Sequence, residues 1–144
     1  MARTLIIGYG NPLRGDDGLG WHAAGQLRMM KLEDADVLTL HQLTPELAED
    51  ASRAELVIFL DASETGTPGE WRNETVLPEA GPQAFTHHAS PAGILSNAGA
   101  LFGNTPKGLL FTMTGESFDY REGLSATVAA RLPEMLAAVV RAVS

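Results

Sequence analysis

Short runs of apolar residues alternate along this chain with longer stretches of helical periodicity. Thr4 to Gly8 is nearly continuous in apolar character, the pattern of a strand covered on both faces. Asp17 to Met30 then carries Leu19, Ala23, Ala24 and Leu27 on one helical face, with Asp16 expected as the N-cap. Asp36 to Leu40 reads as a second strand. Thr44-Pro45-Glu46-Leu47 reads as a cap with proline in the first turn, opening a short helix to about Ala51. The greasiest run, Leu56 to Leu60 within Glu55 to Leu60, predicts a third strand that Asp61 ends. Glycines and prolines punctuate residues 62–86, leaving room for one strand near Glu70–Leu77. A helix at Ser90–Phe102, a strand at Gly108–Thr114 and a closing helix at Leu124–Val143 complete the pattern, with Pro133 set to kink or divide the last helix. Strand–helix alternation of this kind predicts an α/β fold. It is a three-layer sandwich, with a twisted, mostly parallel sheet of about five strands and helices on both faces.

Length and composition narrow the picture. At 144 residues, 1–144 is expected to form one domain without internal repeat. A net charge of −8, from 18 acidic and 10 basic residues, argues against a nucleic-acid partner, because non-specific binding runs on phosphate neutralisation. The absence of cysteine removes disulfides, thiolate ligands and a cysteine nucleophile. No apolar stretch is long enough to span a bilayer, and no signal-peptide pattern precedes the first strand. A cytoplasmic protein with no membrane partner is the expectation.

The candidate chemistry starts in GYGNPLRGDDGLG, residues 8–20. Gly8-x-Gly10 matches half of a dinucleotide fingerprint, but Leu13 stands where a third glycine is required and no Walker lysine follows. Two aspartates at the helix start would compete with a pyrophosphate for its positive end. In a doubly wound sheet, functional groups collect beyond the carboxyl ends of the strands. Asp17 and Asp61 are both expected there, and two carboxylates facing one crevice imply a cation between them. In THHASPAGIL, Ser90-Pro91 is a helix start, which puts His87 and His88 in the loop beside the crevice as neutral nitrogen ligands. An Asp/Asp/His set suits nickel, zinc or cadmium. His41 could line the same rim, while His22, one turn into a helix, reads as structural. Ser63, Ser90, Thr65 and Thr86 lie near these loops, but no G-x-S-x-G elbow supports a serine nucleophile.

GYGNPLRGDDGLG, HQLTPELAEDASRAELVIFLDAS, THHASPAGIL and GESFDYREGLSATV, in this order, resemble the maturation endopeptidases of nickel–iron hydrogenases, from Leu5 to about Val140. The resemblance implies a phosphorylase/hydrolase-like sheet sandwiched by helices. It also implies a peptidase that removes the carboxy-terminal extension of the hydrogenase large-subunit precursor after nickel insertion. Carried over position by position, it makes Asp17 (where the family often has Glu), Asp61 and His87 the metal ligands, with His88 in reserve. The nickel is then borne by the substrate, zinc or cadmium can stand in for it in a crystal, and Asp17 or Asp61 can also serve catalysis. The partner is the precursor, and the protein is a monomer or weak oligomer. Two other classes stay open: a non-catalytic metal-binding chaperone of hydrogenase assembly, and a small-molecule or nucleotide-binding α/β domain.

Overall fold

A computed structural model describes residues 3–79 and 89–143 of the chain. Among these, five strands form one sheet. They are β1 (Thr4–Tyr9), β2 (Ala35–Leu40), β3 (Leu56–Ser63), β4 (Trp71–Val76) and β5 (Lys107–Thr114), in the order β2-β1-β3-β5-β4. All neighbours are parallel except β4, which runs antiparallel to β5 at one edge. The helices are α1 (Leu19–Met29), α2 (Leu47–Ser52), α3 (Pro91–Phe102) and α4 (Ala126–Val143).

Strand alternation sorts side chains between two apolar layers. Val57 and Phe59 of β3 join Leu5 and Ile7 of β1 in a core closed by α2 and α3, which contribute Leu47, Ala51, Ile94 and Leu95. Ile58 and Leu60 join Ile6 in the opposite core, closed by α1 and α4 through Leu27, Leu132, Met135 and Val139. Burial of each such Leu, Ile or Phe contributes roughly 1.5–3 kcal/mol. The buried face of α4, Val128-Leu132-Met135-Leu136-Val139, has helical spacing. Its Pro133 lies on the exposed side of one uninterrupted helix, so the proline does not divide it.

Several boundaries differ from the sequence reading by a residue or two, and three of the differences have a visible cause or bear on the aspartates. Asp16 and Asp17 belong to a 3-10 turn, Gly15–Gly18, and α1 begins only at Leu19. Helix α2 starts at Leu47, after a turn in which Leu47 N–H donates to Thr44 O at 3.2 Å. Strand β3 continues through Asp61 to Ser63, because β5 pairs with it three residues beyond the last β1 contact; Asp61 lies opposite Thr112. By contrast, the α3 start is as expected, with the Ser90 hydroxyl accepting from Gly93 N–H at 3.1 Å and Pro91 in the first turn.

Glycine sets how closely α1 packs on the sheet. A Cβ at Gly20 would lie 2.2 Å from Leu60 O and 2.5 Å from Tyr9 O. A Cβ at Gly8 would meet the same contact from the other side, 2.1 Å from Gly20 O. The helix therefore rests directly on the carboxyl ends of β1 and β3. Gly20→Ala is expected to push α1 off the sheet and lower stability by about 2–4 kcal/mol in chemical unfolding, with the obstruction being backbone that has nowhere to move. A change under about 0.5 kcal/mol would show that the packing is looser than these distances imply.

Candidate active-site crevice

The strand order reverses at β1, with the chain passing to β2 on one side and then to β3 on the other. A crevice opens at such a reversal, beyond the strands' carboxyl ends. The β1 strand brings Tyr9 to this end of the sheet, the following turn brings Asn11 and Asp17, and β3 brings Asp61.

Asp16 is completely buried and is not a helix cap. Its Oδ2 accepts from Glu116 N–H at 2.7 Å, Ser117 N–H at 3.1 Å and the Ser125 hydroxyl at 2.8 Å. Its Oδ1 accepts from Ser125 N–H at 2.8 Å. Burial alone would raise this carboxyl, but the hydrogen bonds from Ser125, Glu116 and Ser117 outweigh it, and the net shift is downward. The aspartate thus ties the turn after β1 to the loop between β5 and α4. Ser125 completes the tie by accepting from Val128 N–H at 3.3 Å at the start of α4. Gly15, at φ 56°, lets the chain pass where a Cβ would meet Ser117 O at 2.7 Å.

Asp17, one residue on, is only half-buried. Its Oδ2 accepts from Asn11 N–H at 2.9 Å. Asp61 accepts at Oδ1 from Ala62 N–H at 2.8 Å, and the Tyr9 hydroxyl donates to its carboxylate. Burial raises the Asp61 carboxyl to about 6; the Ala62 and Tyr9 hydrogen bonds oppose the shift, and the Asp17 charge adds to it. Burial, and secondarily the Asp61 charge, push the Tyr9 hydroxyl upward, so it remains a donor. The two carboxylates are therefore near enough to repel, and neither forms an ion pair among the described residues.

His87 and His88 lie outside the described residues, as does Thr86; within the described set no three His, Asp or Glu side chains form a metal-binding group. His41 is exposed and packs against Trp21, with ring centroids 5.1 Å apart and planes tilted by 57°. His22 lies within α1, its Nε2 buried without a hydrogen-bond partner. The Ser63 hydroxyl is held by the Thr65 carbonyl at 3.1 Å, and Ser90 caps α3, so neither is set up as a nucleophile with a neighbouring base. Sequence reasoning did not single out Tyr9 or Ser125. An aromatic that closes a buried strand, and a serine that opens a helix, carry no local sign that they will meet an aspartate.

No protein-family model matches the chain, and no curated protein matches it. Solved structures do. A NiFe hydrogenase maturation protease, HycI, from Thermococcus kodakarensis superposes with TM-score 0.78 at 22% identity, covering 99% of this chain and 92% of that one. The hydrogenase maturating endopeptidase HybD from E. coli gives 0.76 at 27% identity, covering 97% and 91%. A hydrogenase 2 maturation peptidase from a Thaumarchaeota archaeon gives 0.73 at 25% identity, covering 97% of each. The chain thus resembles the hydrogenase maturation peptidases over nearly its whole length, in an α/β fold with a five-stranded mixed sheet. These neighbours support a hydrolase of the peptidase class.

Two outcomes follow from the opposite electrostatics of the aspartates. Asp16→Ala leaves four donors without their acceptor, and unfolding should show a loss of about 3–5 kcal/mol at neutral pH. Because the Asp16 carboxyl is lowered on folding, its contribution is present above the unfolded carboxyl range and is lost as pH falls through the folded value. Asp61 has the reverse sign. The folded protein holds a proton that the unfolded chain releases, so stability falls as pH rises from about 4 through 6, by roughly 2–3 kcal/mol. Asp61→Asn should remove that slope and stabilise the metal-free protein at pH 7.5. A variant no more stable than wild type at that pH would refute the assignment.

Proposed function

We propose that this protein is an endopeptidase that removes the carboxy-terminal extension of a nickel–iron hydrogenase large-subunit precursor after nickel insertion. In this reading Asp17 and Asp61, together with His87, grip the nickel that the substrate carries. The observation behind it is the pair of crevice carboxylates, one raised to about 6, neither of them in an ion pair among the described residues. Such a crevice is short of positive charge. A precursor with nickel in place supplies it, whereas one without nickel leaves two carboxylates desolvated and unpaired, so maturation is sensed before cleavage.

The same geometry divides the labour in the reaction. Asp16 is no general base, because both its oxygens are engaged and its carboxyl is lowered. Asp61 is raised to about 6 only while the crevice is without metal, and nickel would draw it back down, so either Asp17 or Asp61 can serve as base for a water attacking the peptide carbonyl. Asp17, fixed by Asn11 on one oxygen, offers the other to the cation. A metal-polarised carbonyl or water would work alongside either carboxylate.

A non-catalytic chaperone would use the same crevice to hold metal or precursor without cutting it, so the deciding measurement is the mass of the precursor. Incubation with nickel-loaded precursor should shorten it, and nickel-free precursor should keep its length. Asp17→Asn and His87→Ala should each slow shortening by roughly 10–100-fold or more while the variants stay folded. Cleavage at the wild-type rate by both variants would remove the ligand assignment. A precursor that binds tightly but keeps its mass would favour the chaperone.

A further inference from the structure

Beside the crevice lies a lip made of two chain segments. Residues 13–15 and 120–121 are zipped together, with Arg14 and Arg121 opposed in a parallel bridge. Gly15 N–H donates to Arg121 O at 2.9 Å, and Arg121 N–H to Leu13 O at 3.0 Å. On this frame stand two exposed apolar side chains, Tyr120 at 86% and Leu13 at 54% exposure. The Arg14 guanidinium lies over the Tyr120 ring, 5.7 Å from its centroid.

Two arginines stand side by side on this frame. With 18 acidic residues against 10 basic ones, carboxylates are in surplus, and Arg3, Arg53, Arg72 and Arg131 pair with them. Arg14 and Arg121, like Arg28, Lys31, Lys107 and Arg141, form no ion pair among the described residues, and these two alone of the six are opposed in a bridge. The Nε of Arg14 is moreover buried without an acceptor. The acids in the same loop are turned elsewhere: Glu116 accepts from the Thr127 hydroxyl and Asp119 from the Ser117 hydroxyl, each at 3.2 Å, while Glu122 is exposed and pairs with neither arginine. A guanidinium fork is matched to a carboxylate, which it takes in two parallel hydrogen bonds. Three Cα steps, at most about 11 Å, separate Arg14 from Asp17, so anything seated on the lip adjoins the crevice.

We propose that Leu13, Arg14, Tyr120 and Arg121 form a docking lip for a carboxylate-bearing, apolar-flanked segment of the polypeptide substrate. The inference rests on the reading of the crevice as a peptidase site. The lip binds substrate by short-range fork contacts and by the exposed Tyr120 and Leu13 faces, while Asp17 and Asp61 act on a different part of it. Arginine and tyrosine with a desolvated apolar neighbour are the residue types that dominate such contacts.

The test uses nickel-loaded precursor with wild type, Arg14→Gln/Arg121→Gln, the milder Arg121→Gln alone, and Arg14→Lys/Arg121→Lys. In cleavage assays the double glutamine variant should raise KM about tenfold more than it lowers kcat, the single variant should show part of that rise, and the lysine pair should recover most of it. Wild-type KM should climb with salt, and the double glutamine variant should lose that dependence. Unchanged KM and an unchanged salt slope in the double glutamine variant would overturn the lip. If wild type binds the precursor without cleaving it, the peptidase reading fails on its own. The lip is then judged by the dissociation constant, with a rise of about tenfold supporting it and an unchanged value overturning it.

Discussion

The buried carboxylate of Asp16 is the interaction on which the crevice depends. A charge removed from water without a cationic partner is costly, and here four hydrogen bonds from Glu116, Ser117 and Ser125 offset that cost. Those donors come from residues about a hundred positions away in the chain. By fixing the 3-10 turn, Asp16 decides where Asp17 points. By holding Ser125, it fixes the loop that leads into α4 and forms the far side of the lip. Two adjacent aspartates thus divide the work, one building the turn and the other left half-buried beside it.

Close packing makes this arrangement rigid. With no side chain at Gly8 or Gly20, α1 presses onto the ends of β1 and β3, and Asp17 and Asp61 are delivered from elements that cannot drift apart. The cost appears as the raised Asp61 carboxyl. Two acids that share a crevice and form no ion pair among the described residues make it less stable than neutral groups would. On the lip, Arg14 and Arg121 form no ion pair among the described residues in a chain rich in acid. Opposite charges stand side by side without cancelling. A substrate bearing both a metal cation and a carboxylate would satisfy each in turn.

Local pattern by itself determined most of the architecture: the continuous apolar runs of β1 and β3, the helical spacing of α1 and α4, and the Ser90-Pro91 start of α3. These rest on interactions within a few residues, which sequence displays directly. The same pattern put Asp17 and Asp61 at the carboxyl ends of the strands, since strand–helix alternation leaves little choice about where loops go. Tertiary structure decided the rest. Strand β3 runs past Asp61 because β5 pairs with it there, and no feature of LDAS announces that partner. Asp16 is a buried hub and not a cap because Ser125 and the loop before it close over the carboxylate. Capping depends on the next three residues, but burial depends on whatever the remainder of the chain brings into contact.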